Sequence, residues 1–220
     1  MYRDTITWNV FKGCLFNCEY CKRSFQLQAK RQKHICNDCY NYEPHFHPER
    51  LNQYLPKNKL IFVAGNGDLY FALSDELYQI LDVIKANKDK TFLIQSKSPH
   101  FLFDVDIPNN VIVGTTIETN RDTSNISDAP STLERIYALN LIEHKRKFVT
   151  HEPIMNFDLD RVVRWDKLLE PEIVWIGYDN HNTGLDEPEL FKTKKLINEL
   201  KSFTDVRLKT IREKLVNYKG

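Results

Sequence analysis

Five apolar, β-branched runs recur along the chain, at residues 60–64, 91–95, 111–116, 147–151 and 173–177. Each is continuous rather than alternating, which is the pattern of a strand covered on both faces. An apolar run at 6–11 predicts a first strand, and 206–210 predicts a last one. Between the runs, apolar residues fall three and four apart, as at Leu77, Ile80, Leu81 and Ile84 and at Leu133, Ile136 and Tyr137, and predict helices. Ser74-Asp75-Glu76 reads as an N-cap and first turn, and Pro130 as a helix start. The proline-flanked connection 98–108 has room for about two helical turns. Residues 22–33 lack Gly and Pro and are rich in Gln, Lys and Arg, so a helix is expected there. Strands that alternate with helices imply an α/β fold: a parallel sheet with right-handed crossovers.

Composition narrows the class. A chain of 220 residues with 41% hydrophobic residues supports one sizeable core, so a single domain over 1–220 is expected. No run has the form of a signal peptide or reaches 18 apolar residues, which predicts a cytoplasmic protein with no membrane partner. All five cysteines fall between residues 14 and 39. They cannot staple the whole fold, and metal-binding thiols in a reducing compartment are the better reading. The net charge of +1 decides nothing, but 192–219 carries nine Lys or Arg against three Asp or Glu. That basic end, with Trp165 and Trp175 and several tyrosines near it in sequence, permits a nucleic-acid substrate through phosphate contact and base stacking.

The chemistry concentrates in Gly13-Cys14-Leu15-Phe16-Asn17-Cys18-Glu19-Tyr20-Cys21, directly after the first strand. A structural zinc site takes four ligands, whereas three closely spaced thiolates suit an iron-sulfur cluster with one open iron. C-x3-C-x2-C with an aromatic residue before the last cysteine resembles the signature of the radical S-adenosylmethionine (SAM) enzymes. Thr7-Trp8-Asn9, Gly13-Cys14, His47-Pro48-Glu49-Arg50-Leu51, Gly67-Asp68-Leu69 and Glu152-Pro153 resemble an uncharacterised phage and bacterial branch of that superfamily. That branch usually has a longer gap between its first two cysteines. The resemblance implies a partial (β/α)6 TIM-like barrel with the cluster loop after strand one. It implies a 4Fe-4S cluster on Cys14, Cys18 and Cys21, and SAM bound at the fourth iron. It also implies an external electron donor of flavodoxin or ferredoxin type, and reductive cleavage of SAM to a 5′-deoxyadenosyl radical that takes hydrogen from a substrate.

Ligands of parallel barrels bind at the carboxyl ends of the strands, so the polar residues after each run are the site candidates. Gly65, Asn66, Gly67 and Asp68 follow the second run, where the glycines permit close approach of a ligand or simply a tight turn. By resemblance they meet the SAM amino group. Tyr20, Ser96, Lys97, Thr116 and Gly177 are further cofactor candidates, and Glu118 is the expected ribose contact. Glu152 is either a substrate ligand or half of an ion pair. No cysteine lies beyond residue 39, so if the chemistry resembled thymine-dimer repair, a tyrosine such as Tyr178, or SAM itself, would have to serve as the hydrogen donor.

An irregular, polar insert at about 34–50 carries Cys36, Cys39, His45 and His47, a C-x2-C followed by H-x-H. These are four possible zinc ligands. The rival to the enzyme reading is a zinc-stapled module, binding nucleic acid or protein without catalysis, in which all five cysteines share zinc.

Overall fold

Continuous apolar strands have to be covered on both faces, and helical crossovers between parallel strands do this. The computed structural model describes residues 5–57 and 59–212. In chain order these form β1 (Thr5–Trp8), β2 (Phe11–Lys12), α1 (Glu19–Lys22), α2 (Phe25–Ala29), α3 (Asn37–Asn41), β3 (His45–Phe46), β4 (Leu60–Val63) and α4 (Ser74–Ala86). Then come β5 (Thr91–Gln95), β6 (Val111–Thr116), α5 (Thr132–Leu141), β7 (Lys147–His151), α6 (Leu159–Leu169), β8 (Ile173–Ile176), α7 (Leu190–Leu200) and β9 (Asp205–Leu208). Seven strands make one sheet in the order β1-β4-β5-β6-β7-β8-β9, and each neighbouring pair is parallel. The sheet curls into a half-barrel, the partial TIM-like barrel that the resemblance implies. β2 and β3 form a separate antiparallel pair. The ends of the expected domain 1–220, and the end of the basic stretch 192–219, lie outside the described residues. Among the described residues no helix is long and apolar enough to cross a membrane.

Two apolar layers hold the sheet. The larger packs its outer face against the helices, and takes in Leu77, Ile80, Leu81 and Ile84 of α4 and Ile136 and Leu139 of α5. Each such side chain, fully buried, stabilises the fold by about 1.5–3 kcal/mol. The smaller layer, Leu93, Ile112, Phe148, Ile173 and Trp175, fills the concave face. Gly114 makes room for it, because a Cβ there would lie 2.6 Å from the Phe148 ring.

Several expectations need correction. Strand one stops at Trp8 rather than continuing to 11, because Asn9 leaves the sheet: its side chain accepts the Asn66 N–H (3.0 Å) and its carbonyl accepts Arg50 (2.8 Å). The helix expected over 22–33 is split into α1, α2 and a 3-10 turn at Lys30–Gln32. Ser24 lies at the break, with ψ at −94° and its hydroxyl turned back onto the Tyr20 carbonyl (2.7 Å). The connection 98–108 holds only the 3-10 turn Pro99–Leu102. Ser74 is the first helical residue, and Glu76 accepts from the Leu73 N–H at the cap position (2.9 Å). Pro130 precedes the Ser131 cap of α5. The buried stripe of α5 takes in Arg135, while Tyr137 is exposed. Trp165 and Trp175 are buried in the two layers, so neither presents a face for base stacking.

A buried ion pair joins β7 to α6. His151 donates from Nδ1 to the Ile117 carbonyl (2.8 Å), and its Nε2 meets Asp166 Oδ2 (3.0 Å). Burial opposes charge on His151, but Asp166 and the carbonyl outweigh it and raise the imidazole pKa. A folded pKa above the unfolded one contributes stability that is complete below about pH 6.5 and is lost as pH rises through the folded value. Thermal melts should therefore show a falling Tm as pH rises above about 6.5, with Asp166→Asn flattening that slope and lowering Tm at acid pH. An unchanged slope in Asp166→Asn would remove His151 from this role.

Candidate active site

Gly13, where the chain enters the cysteine loop, is confined by its neighbours. Its φ is +86°, and a Cβ would lie 2.0 Å from the Glu43 carbonyl oxygen, so no side chain fits without moving backbone. Gly13 donates to the Asn66 carbonyl (3.0 Å) and accepts from the Asp68 N–H (3.2 Å), and Cys14 donates to the Tyr42 carbonyl (3.3 Å). Further on, the Phe16 carbonyl accepts from the Asp128 N–H (2.8 Å) and Ser127 Oγ (3.2 Å), and Glu19 donates to the Ile126 carbonyl (2.9 Å). Three segments distant in sequence, 42–43, 66–68 and 126–128, thus clasp the loop.

Cys14, Cys18 and Cys21 all line one cavity of about 430 Å³ beyond the carboxyl ends of the strands. Tyr20, Gly65, Asn66, Gly67, Asp68, Ser96, Lys97 and Thr116 share its wall, whereas Glu118 and Gly177 do not. Asp68 is buried and joins two strand ends: Oδ1 accepts from Ser96 Oγ (2.6 Å) and the Tyr70 N–H (3.0 Å), and Oδ2 from the Lys97 N–H (3.0 Å). Burial raises its pKa against those bonds. The Thr116 hydroxyl accepts from Gln95 Nε2 (2.6 Å). Across the mouth, Glu152 pairs with Lys209, the ion-pair alternative of its two expected roles. Tyr178 lines the cavity, yet its hydroxyl is engaged by Thr193 Oγ1 (2.7 Å) and the Pro188 carbonyl (3.3 Å). Gly177 supplies space, since a Cβ there would lie 2.9 Å from Lys209 Cβ.

Glu118 is completely enclosed behind this wall. Its carboxylate takes Arg135 (2.7 Å), the Tyr20 hydroxyl (2.6 Å) and Lys97. Burial alone would raise its pKa, but the two cations outweigh that and hold it down at about 2. The expected ribose contact is therefore a support for Tyr20 and Lys97, whose ammonium also sits 5.1 Å from the Tyr20 ring centroid. The three thiols differ. Burial, reinforced by Asp68, pushes Cys14 up. The nearness of Cys18, then burial, raises Cys21, while the nearness of Cys21 and the Lys97 charge outweigh burial and bring Cys18 down to about 5.

The remaining two cysteines do not join them. Cys36, Cys39, His45 and His47 have their ligand atoms within 4.8 Å of one another, a set separate from the loop thiols.

The sequence matches the family described as "Protein of unknown function (DUF5131)" over residues 2–176. The chain belongs to that family. No curated protein matches it. The fold of this DUF5131 chain is similar to spore photoproduct lyase complexed with dinucleoside spore photoproduct, at TM-score 0.65 and 11% identity over 92% of this chain and 76% of that one. A double mutant of that lyase, with bound AdoMet and dinucleoside spore photoproduct, is similar at TM-score 0.63 and 13% identity, over 94% and 78%.

Sequence reasoning on this DUF5131 chain missed Arg135, Gln95, Ser127 and Tyr42. For Arg135 a signal existed: it precedes Ile136 by one residue and Leu139 by four, which puts a charge on the buried stripe of α5. Arg135→Met should cost about 3 kcal/mol in urea unfolding because it removes one of the two cations that compensate the buried Glu118 charge. Adding Glu118→Gln should recover part of that loss; full additivity would separate the two residues.

Proposed function

We propose that this protein is a radical SAM enzyme in which Cys14, Cys18 and Cys21 hold a 4Fe-4S cluster and the cavity beside them holds SAM. One observation carries the reading: three thiols of a C-x3-C-x2-C motif open onto a single cavity at the carboxyl ends of a parallel half-barrel. The donor set fits the group. Burial raises Cys14, and its neighbour Cys18 together with burial raises Cys21, so these anions need the positive charge that a metal core brings. When bound, the cluster supplies an electron that cleaves SAM to methionine and a 5′-deoxyadenosyl radical.

The chain's own residues bind, orient and shield. Gly65 and Gly67 let this segment of the wall pack closely on its neighbours, since a Cβ would meet Thr7 and Phe62 in the first case and Lys12 and Gly13 in the second. Asp68 uses three of about four acceptor sites internally, leaving one for a ligand amino group. Gln95 lines the same wall, and its buried Oε1 has no hydrogen-bond partner among the described residues. Tyr20 and Lys97 are fixed by Glu118 and do not swing with the ligand. On the other side, Glu152, Lys209, Asn180 and His181 face the volume left for substrate.

We assign that volume to a nucleotide or nucleic-acid fragment. The support is the likeness of fold to spore photoproduct lyase, seen with AdoMet and dinucleoside spore photoproduct. The electron comes from an external donor of flavodoxin or ferredoxin type. Anaerobically reconstituted protein should carry about four irons and, with SAM and a reductant, release 5′-deoxyadenosine. In Cys18→Ala that product should fall to background. Iron-loaded wild-type protein that leaves SAM intact would sink the proposal.

A further inference from the structure

The insert between α2 and β4 has almost nothing apolar with which to hold its shape. Of residues 33–50 only Cys39 and His47 are buried, and Ile35 is 79% exposed. Its polar side chains nevertheless converge. Cys36 Sγ lies 3.4 Å from His45 Nε2, and Cys39 Sγ lies 3.3 Å from both His45 Nε2 and His47 Nε2. The two Nε2 atoms are 2.9 Å apart. Four ligand atoms on a tetrahedral zinc ion at ordinary Zn–S and Zn–N lengths stand about 3.3–3.8 Å from one another; the three Cys–His distances fall in that range, the two Nε2 atoms stand closer, and the whole set lies within 4.8 Å.

The surrounding hydrogen bonds fix the orientation of the ligands. His45 Nδ1 is 2.7 Å from the Glu43 carbonyl, which can only accept, so that nitrogen carries the proton. His47 Nδ1 is likewise 2.7 Å from the Glu49 carboxylate. In neutral imidazoles both Nε2 lone pairs then face each other and the sulfurs, and the thiol protons of Cys36 and Cys39 are the donors beside them; once those protons leave, four lone pairs converge. A cation resolves that arrangement. The Nδ1 partners are of the carbonyl and carboxylate kind that orients metal-bound histidines, while the Cys39 N–H and Lys12 Nζ each donate to a sulfur at 3.1 Å.

We propose that Cys36, Cys39, His45 and His47 bind one zinc ion, separate from the metal site of the loop thiols. Four protein ligands close the coordination sphere, so the ion is structural. Its position gives it a task. His45 pairs with Lys12 across β2 and β3, the Glu43 carbonyl packs on Gly13, and the Tyr42 carbonyl holds the Cys14 N–H. The zinc clasp therefore sets the backbone from which Cys14 projects.

The full chain, purified without added metal, should contain about one zinc by mass spectrometry. A triple Cys14, Cys18 and Cys21→Ala variant should keep that zinc, whereas Cys36→Ser and His45→Ala should lose most of it. Should those single variants fold poorly, cobalt exchanged into wild-type protein should give the intense visible bands and thiolate charge transfer of a tetrahedral S2N2 site. Zinc removal should also speed tryptic cleavage at the exposed Lys30, Arg31 and Lys33 at least about tenfold, as the clasp opens. Absence of zinc, its loss from the triple variant, or a weak six-coordinate cobalt spectrum would overturn the proposal. A protein with zinc but no iron on the loop thiols would sink the radical SAM reading and leave this one standing.

Discussion

The buried carboxylate of Glu118 is the constraint on which the candidate site depends. A lone charge in that position would cost several kcal/mol, and three groups from three parts of the chain remove that cost. Arg135 comes from α5, Lys97 from the end of β5 and Tyr20 from α1. Satisfying one acid thus fixes the cysteine helix against the strand ends. Arg135 is fastened in turn to the Thr116 carbonyl (3.0 Å) and the Pro130 carbonyl (2.7 Å), so the charge is tied to backbone.

Division of labour follows from depth in the half-barrel. Phe148, Trp175, Leu93 and Ile112 fill the lower part of the concave face, and Gln95, Thr116 and Thr150 form a hydrogen-bonded polar layer above them. The cavity lies above that layer on the β5 and β6 side and reaches further down beside Thr5, Thr7 and Phe62 of β1 and β4. Below the layer, side chains serve packing; above it, nearly every polar atom belongs either to the wall or to a group that braces the wall.

The strands of the sheet were legible because continuous apolar runs have few other uses in a chain of this size. Residues 91–95, 111–116 and 147–151 are strands over the bounds the pattern gives. The cysteine motif and its cavity were legible for a different reason, since spacing of thiols is itself coordination chemistry. Pattern failed where a single polar contact redirected the backbone, as at Asn9 and Ser24. It failed also at Glu118, whose position after a strand suggested a ligand contact. What decides its role is Arg135, seventeen residues on and on another element. Tertiary pairing of charges leaves little trace in local periodicity.

The clasps on the cysteine loop bear on biosynthesis. Ribosomes deliver Cys14, Cys18 and Cys21 early, yet the groups that hold their loop include Ile126, Ser127 and Asp128. Loop closure over more than a hundred residues must precede that grip. The thiols made first therefore reach their final arrangement late, and until then they are loose in a nascent chain, open to oxidants and to any competing metal ion.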